Sequence, residues 1–98
     1  MAKGYWISAY HSISNPDALA EYAKLAGPAI QGAGGKILAR GGRVQAFEAG
    51  KNERTVLIEF ENFDAAVAAY TSAGYKAALE KLGNDSVVRD IRVFEGID

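Results

Sequence analysis

The chain has no cysteine, a single histidine and only two prolines in 98 residues. Without cysteine there is no disulfide framework, no thiolate nucleophile and no cysteine-ligated zinc. The lone histidine, His11, leaves little to build a metal centre, and no His/carboxylate pair stands at helical spacing, so neither metal nor cofactor is expected. Long apolar runs are missing too: none approaches the roughly 20 residues a helix needs to cross a bilayer. Nor does one sign of charge dominate. Eleven Lys/Arg face twelve Asp/Glu, for a formal net charge of −1, and both signs are scattered with no basic block or stripe. That argues against nucleic acid as a partner. Met1-Ala2-Lys3-Gly4 runs into a strand-like stretch with no apolar leader, so a cytoplasmic protein is expected. With no repeat, low-complexity tract or linker, residues 1–98 read as one domain.

What is present is an apolar fraction of 49%, enough for a core without covalent staples. Gly4 to His11 is rich in β-formers and reads as a strand. Asn15-Pro16-Asp17 has the chemistry of a helix start: a capping side chain, proline at the first position, an acid near the positive end. Leu19, Tyr22, Ala23, Ala26, Ile30 and Ala33 then share one face. Pro28 removes one hydrogen bond on the polar face, which predicts a bend and no break. Gly34-Gly35 ends the helix. Lys36 to Phe47 reads as a long strand interrupted at Gly41-Gly42, followed by a hairpin loop over Ala49 to Glu53 and a strong strand from Arg54 to Glu61. Asn62 caps a second helix. Its apolar phase slips by one residue between Tyr70 and Tyr75, which predicts two segments with a kink at Ser72-Ala73-Gly74. Ser86 to Glu95 reads as the last strand.

The order is β-α-β-β-α-β, the ferredoxin-like α+β arrangement, with an antiparallel sheet and both helices on one face. A sheet face turned to water should carry mostly polar side chains. Here Leu57 opposes the Val56/Ile58/Phe60 face, and Tyr5, Ile7 and Ala9 oppose Trp6 and Tyr10. Both faces carry apolar groups and two helices cover one, so a symmetric second copy is expected on the other.

The ordered series Lys3-Gly4-Tyr5-Trp6, Asn15-Pro16-Asp17, Pro28 with Gly34-Gly35, Arg40-Gly41-Gly42, Arg54 to Phe60, Phe63…Ala66…Tyr70-Thr71-Ser72-Ala73-Gly74-Tyr75 and Glu95-Gly96 resembles the domain of unknown function 1330 family, within the dimeric α/β-barrel superfamily. One departure is Ala73-Gly74, where members usually carry Pro-Glu. The resemblance implies a homodimer whose two sheets face each other, and a cleft between sheet and helices in each subunit. It supplies no reaction, since the wider superfamily holds cofactor-free monooxygenases, isomerases and haem-handling proteins.

His11 is a candidate general base or haem ligand; the plainer reading is a strand-end residue beside a polar loop. Arg40, Arg54 and Glu59 fall near one another if the two middle strands form a hairpin. They could clamp an anion or form a structural Arg–Glu pair. Tyr22, Tyr70 and Tyr75 lie on apolar helix faces, as ligand-binding phenols or as core aromatics. Any ligand site is expected between sheet and helices, lined by several of Tyr22, Arg40, Glu59, Tyr70 and Tyr75, with His11 near its mouth and room left by the kink after Tyr70. An anionic or phenolate-like ligand would suit such a set. Two function classes stay open: a cofactor-independent enzyme of monooxygenase or isomerase type, and a non-catalytic small-molecule-binding or structural dimeric module.

Overall fold

The computed structural model describes residues 2–97. Strand β1 runs from Gly4 to Ile13, helix α1 from Pro16 to Gly32, β2 from Lys36 to Arg40 and β3 from Thr55 to Phe60. Helices α2 (Phe63–Tyr70) and α3 (Ala73–Leu82) follow, then β4 (Val87–Glu95). The strands form one antiparallel sheet in the order β2-β3-β1-β4. This is the ferredoxin-like α+β class expected from the order of elements.

The helix boundaries follow from local chemistry. Asn15 Oδ1 accepts the Ala18 N–H at 3.1 Å, and Pro16 occupies the first helical position. Helix α1 continues through Pro28 to Gly32, since the missing bond lies on the exposed side. Its end is a Schellman turn: the Gly35 N–H reaches the Ile30 carbonyl at 2.9 Å, and that of Gly34 reaches Gln31 at 3.0 Å. Gly34 supplies the left-handed φ of 96° that the turn requires. The slip in apolar phase is a true break. Helix α2 stops at Tyr70, and Ser72 caps α3 by accepting the Tyr75 N–H at 3.3 Å.

The long strand expected over Lys36 to Phe47 is not formed. Pairing with β3 ends at Arg40, after a register shift between Ile37 and Ala39. Gly41, at φ 73°, then turns the chain away from β3. Residues 41–54 are irregular, with Phe47 77% exposed.

Alternation along the strands sorts the two faces. Trp6, Ser8 and Tyr10 of β1, with Val56, Ile58 and Phe60 of β3, point beneath the helices and are buried. They pack against Tyr22, Ala26 and Ile30 of α1, Ala66 and Ala69 of α2, and Tyr75, Ala78 and Leu82 of α3. The opposite face carries Tyr5, Ile7, Ala9, Leu57, Val88 and Phe94, which are half-buried or exposed.

Candidate functional site

Beneath the sheet, α1 does not close fully on β1, β2 and β3. A cleft remains with apolar walls from Ala26 and Ile30 of α1, Ile37 of β2, and Val56 and Ile58 of β3. Trp6 forms part of the floor, and its indole N–H is spent on Ser8 Oγ at 2.8 Å. The polar groups gather toward one end: Ser8 and Tyr10 of β1, Tyr22 of α1, Arg40 at the end of β2 and Arg54 just before β3. Including its open mouth, the cleft spans about 400 Å³. The space a water can occupy in it is about 30 Å³, room for about two waters. Gly27 widens the mouth: a Cβ there would stand 3.8 Å from Arg40 Nη1.

Behind this end lies a cluster that sequence reasoning missed. Arg89 of β4 is the strand partner of Tyr10, so its side chain emerges on the helix side. Its Nη1 donates to the Tyr10 hydroxyl at 2.8 Å and the Tyr22 hydroxyl at 3.1 Å. Its Nη2 donates to the Tyr75 hydroxyl at 3.2 Å. The Tyr22 and Tyr75 hydroxyls bond each other at 2.5 Å. The guanidinium also lies over the Tyr22 ring, 4.9 Å from its centroid, and over the Tyr10 ring at 5.4 Å. Burial pushes the Tyr75 hydroxyl well above its usual range, so that phenol keeps its proton. Among the described residues no carboxylate pairs with Arg40, Arg54 or Arg89. Arg54 Nε is buried without a hydrogen-bond partner, and its guanidinium carbon stands 5.9 Å from the Tyr10 ring centroid.

The residues singled out from sequence separate into three groups. Tyr22 and Arg40 line the cleft, and Tyr75 stands one hydrogen bond behind it. Tyr70 does not line it. Its ring packs 5.6 Å from that of Trp6 and 5.3 Å from that of Tyr75, and these rings fill the space beside the kink that was expected to stay open. Glu59 and His11 stand on the far face of the sheet. Glu59 accepts from the Tyr5 hydroxyl at 3.2 Å, and His11 Nε2 meets Asp90 Oδ2 at 2.8 Å. Glu59 alternates with Ile58 and Phe60, so the geometry that buries those two turns it outward. The expected Arg40–Glu59 proximity fails because of the register: Arg40 pairs with Val56, whereas Lys36 pairs with Glu59. Arg89 did leave a signal, as a lone charge in the otherwise apolar alternation Val87, Ile91, Val93.

No curated protein matches the chain. Solved structures of similar shape share little sequence. A protein of unknown function from Rhodopseudomonas palustris, RPA0582, is 19% identical, with 96% of this chain and 80% of that one aligned at a TM-score of 0.65. SnoaB, a cofactor-independent oxygenase from Streptomyces nogalater, is 11% identical over 100% of this chain and 96% of its own, at 0.62. A dimeric ferredoxin-like protein of unknown function from Thermobifida fusca is 14% identical over 95% and 90%, at 0.54. These likenesses establish the fold. The family model described as domain of unknown function (DUF1330) matches residues 3–97, and the chain belongs to that family.

Proposed function

We propose that the protein binds a small, largely apolar organic molecule in the cleft between the sheet and α1, and that it works as a homodimer packed through the outer sheet face. The observation that carries the binding reading is the cleft's composition: apolar walls with a few polar groups converging at one end, the usual make-up of a small-molecule site. The room suits about two waters, so a larger guest enters as the Arg40 side chain swings outward from the mouth.

A second reading, a cofactor-independent enzyme, is favoured by the shared shape with the Streptomyces nogalater oxygenase. The lining constrains it. Among the described residues no imidazole or carboxylate faces the cleft, so no side chain there is suited to take a proton at neutral pH. An enzyme built on this site takes a substrate acidic enough to arrive already ionised.

The test is mass spectrometry of small molecules extracted from the purified protein, compared with a Gly27→Leu variant whose new side chain fills the mouth. An organic molecule is expected in the native protein and not in the variant. An empty native protein that also shows no saturable uptake of small aromatic probes would remove the binding reading.

A further inference from the structure

We propose that the inner end of the cleft is an oxyanion site, which holds a ligand's anionic oxygen, phenolate or enolate in type, on the Tyr22 hydroxyl and Arg54 Nε. The inference rests on the binding reading above and names the ligand class for the same cleft.

The argument is a count of protons. Each of the three phenol oxygens around Arg89 accepts a guanidinium N–H. Their own three protons must then go elsewhere, and one is shared between Tyr22 and Tyr75. If Tyr22 gave that proton, the proton of Tyr75 would be left without an acceptor on a residue 0% exposed. Stranding a buried donor costs about 1–3 kcal/mol. Tyr75 therefore donates to Tyr22, and the Tyr22 proton is free to turn into the cleft that Tyr22 lines. Tyr75 can hold this role because burial keeps it protonated.

Three more donors share the surplus. Tyr10 accepts from Arg89, and Ser8 accepts from Trp6, yet among the described residues neither hydroxyl proton has an acceptor. Arg54 Nε is buried and unpartnered. All four residues, Tyr22 with these three, line the same cleft, and with Arg40 and Arg89 they set three positive charges around it with no carboxylate of the described residues in an ion pair with them. Buried donors are almost always satisfied in folded proteins. A surplus at one end of the cleft, next to uncompensated positive charge, is completed by an acceptor carrying negative charge. The apolar remainder of the cleft asks that this acceptor sit on an apolar body. A neutral guest of the same shape would leave the donors unpaired, so the site discriminates by charge.

The probe is 4-nitrophenol, which ionises near neutrality to a coloured phenolate, and the control is nitrobenzene, which has the same ring without the ionising oxygen. Bound to the native protein, the phenol is expected to titrate about one pH unit or more lower than when free, a tenfold preference for the anion. Tyr22→Phe and Arg54→Met, measured separately, are each expected to cut the preference for phenolate over nitrobenzene about fivefold. Arg54→Met alters a partly exposed residue just before β3, so it reports even where Tyr22→Phe folds poorly. Unchanged or weakened acidity of the bound phenol, with nitrobenzene bound normally, overturns the oxyanion site and leaves the cleft reading standing. A native preference that survives both substitutions also overturns the assignment. Failure of both probes to bind sinks the binding reading and the oxyanion site together.

Discussion

At the scale of single residues, the interior is governed by how its few polar atoms are satisfied. Trp6 and Tyr75 are both fully enclosed, their rings edge to face with centroids 5.0 Å apart. Trp6 spends its N–H on Ser8, and Tyr75 sets its hydroxyl between Arg89 and Tyr22. The burial that raises the Tyr75 pKa from 10.0 has a consequence for stability. The folded state holds that proton to higher pH than the unfolded chain does. The contribution is therefore whole below pH 10 and is lost as pH rises beyond it. Urea unfolding followed across alkaline pH should show a steeper loss in the native protein than in Tyr75→Phe. The variant itself should start about 1–3 kcal/mol lower, because an Arg89 N–H and Tyr22 each lose a partner. Equal alkaline slopes in the two proteins would contradict this account. Gly4 gives a second prediction. A Cβ at this position would fall on the Asn62 carbonyl oxygen, inside contact distance and against rigid backbone at the start of α2. Gly4→Ala should lower stability by about 1–3 kcal/mol or more, seen as a lower urea midpoint at unchanged m-value.

At the scale of elements, helix ends and most strand ends were legible, and the end of β2 was not. Asn15, Asn62 and Ser72 each accept the backbone N–H three residues on, as their side-chain chemistry predicts. The one-residue slip in apolar phase located the break between α2 and α3, because the helical period leaves no other way to keep both halves facing the core. Gly74 is helical and lets α3 approach α1: a Cβ there would stand 3.2 Å from that of Ala29. Ser72→Ala should cost about 1 kcal/mol by loss of the α3 cap, measured by thermal or urea unfolding. No measurable cost would mean that packing on α1 alone holds the start of α3. The segment after Arg40 is the contrary case. Val44 and Phe47 carry strand-like composition, but a strand needs a partner edge, and Gly41 turns the chain off the edge of β3 before pairing can continue.

At the scale of the whole molecule, the outer sheet face is the feature a single chain leaves unexplained. Ile7 and Leu57 are direct partners in the β1–β3 register and stand half-buried on this face, with Phe94 46% and Val88 60% exposed nearby. On the homodimer reading, Leu57→Lys places a charge in the middle of the interface. Sedimentation velocity should then show a folded monomer at micromolar concentration, where the native protein sediments as a dimer. A native protein that sediments as a monomer would refute the pairing.

By itself the sequence determined the order of elements, the helix caps, the break after Tyr70 and which strand residues share a face. All of these follow from local chemistry and the two periods of 3.6 and 2 residues. It placed Tyr22 and Tyr75 on core-facing positions and Arg40 at a bend before the double glycine. Its own parity also put Glu59 opposite Ile58 and Phe60, so the outward direction of that side chain was readable from the alternation alone. Only the tertiary structure decided that Arg89 meets Tyr10. That meeting depends on the register between β1 and β4, the first and last strands of the chain, which no connecting turn sets. Once the register is set, three tyrosines from three different elements converge on one guanidinium, because antiparallel pairing and helix packing bring together positions up to 79 residues apart in the chain.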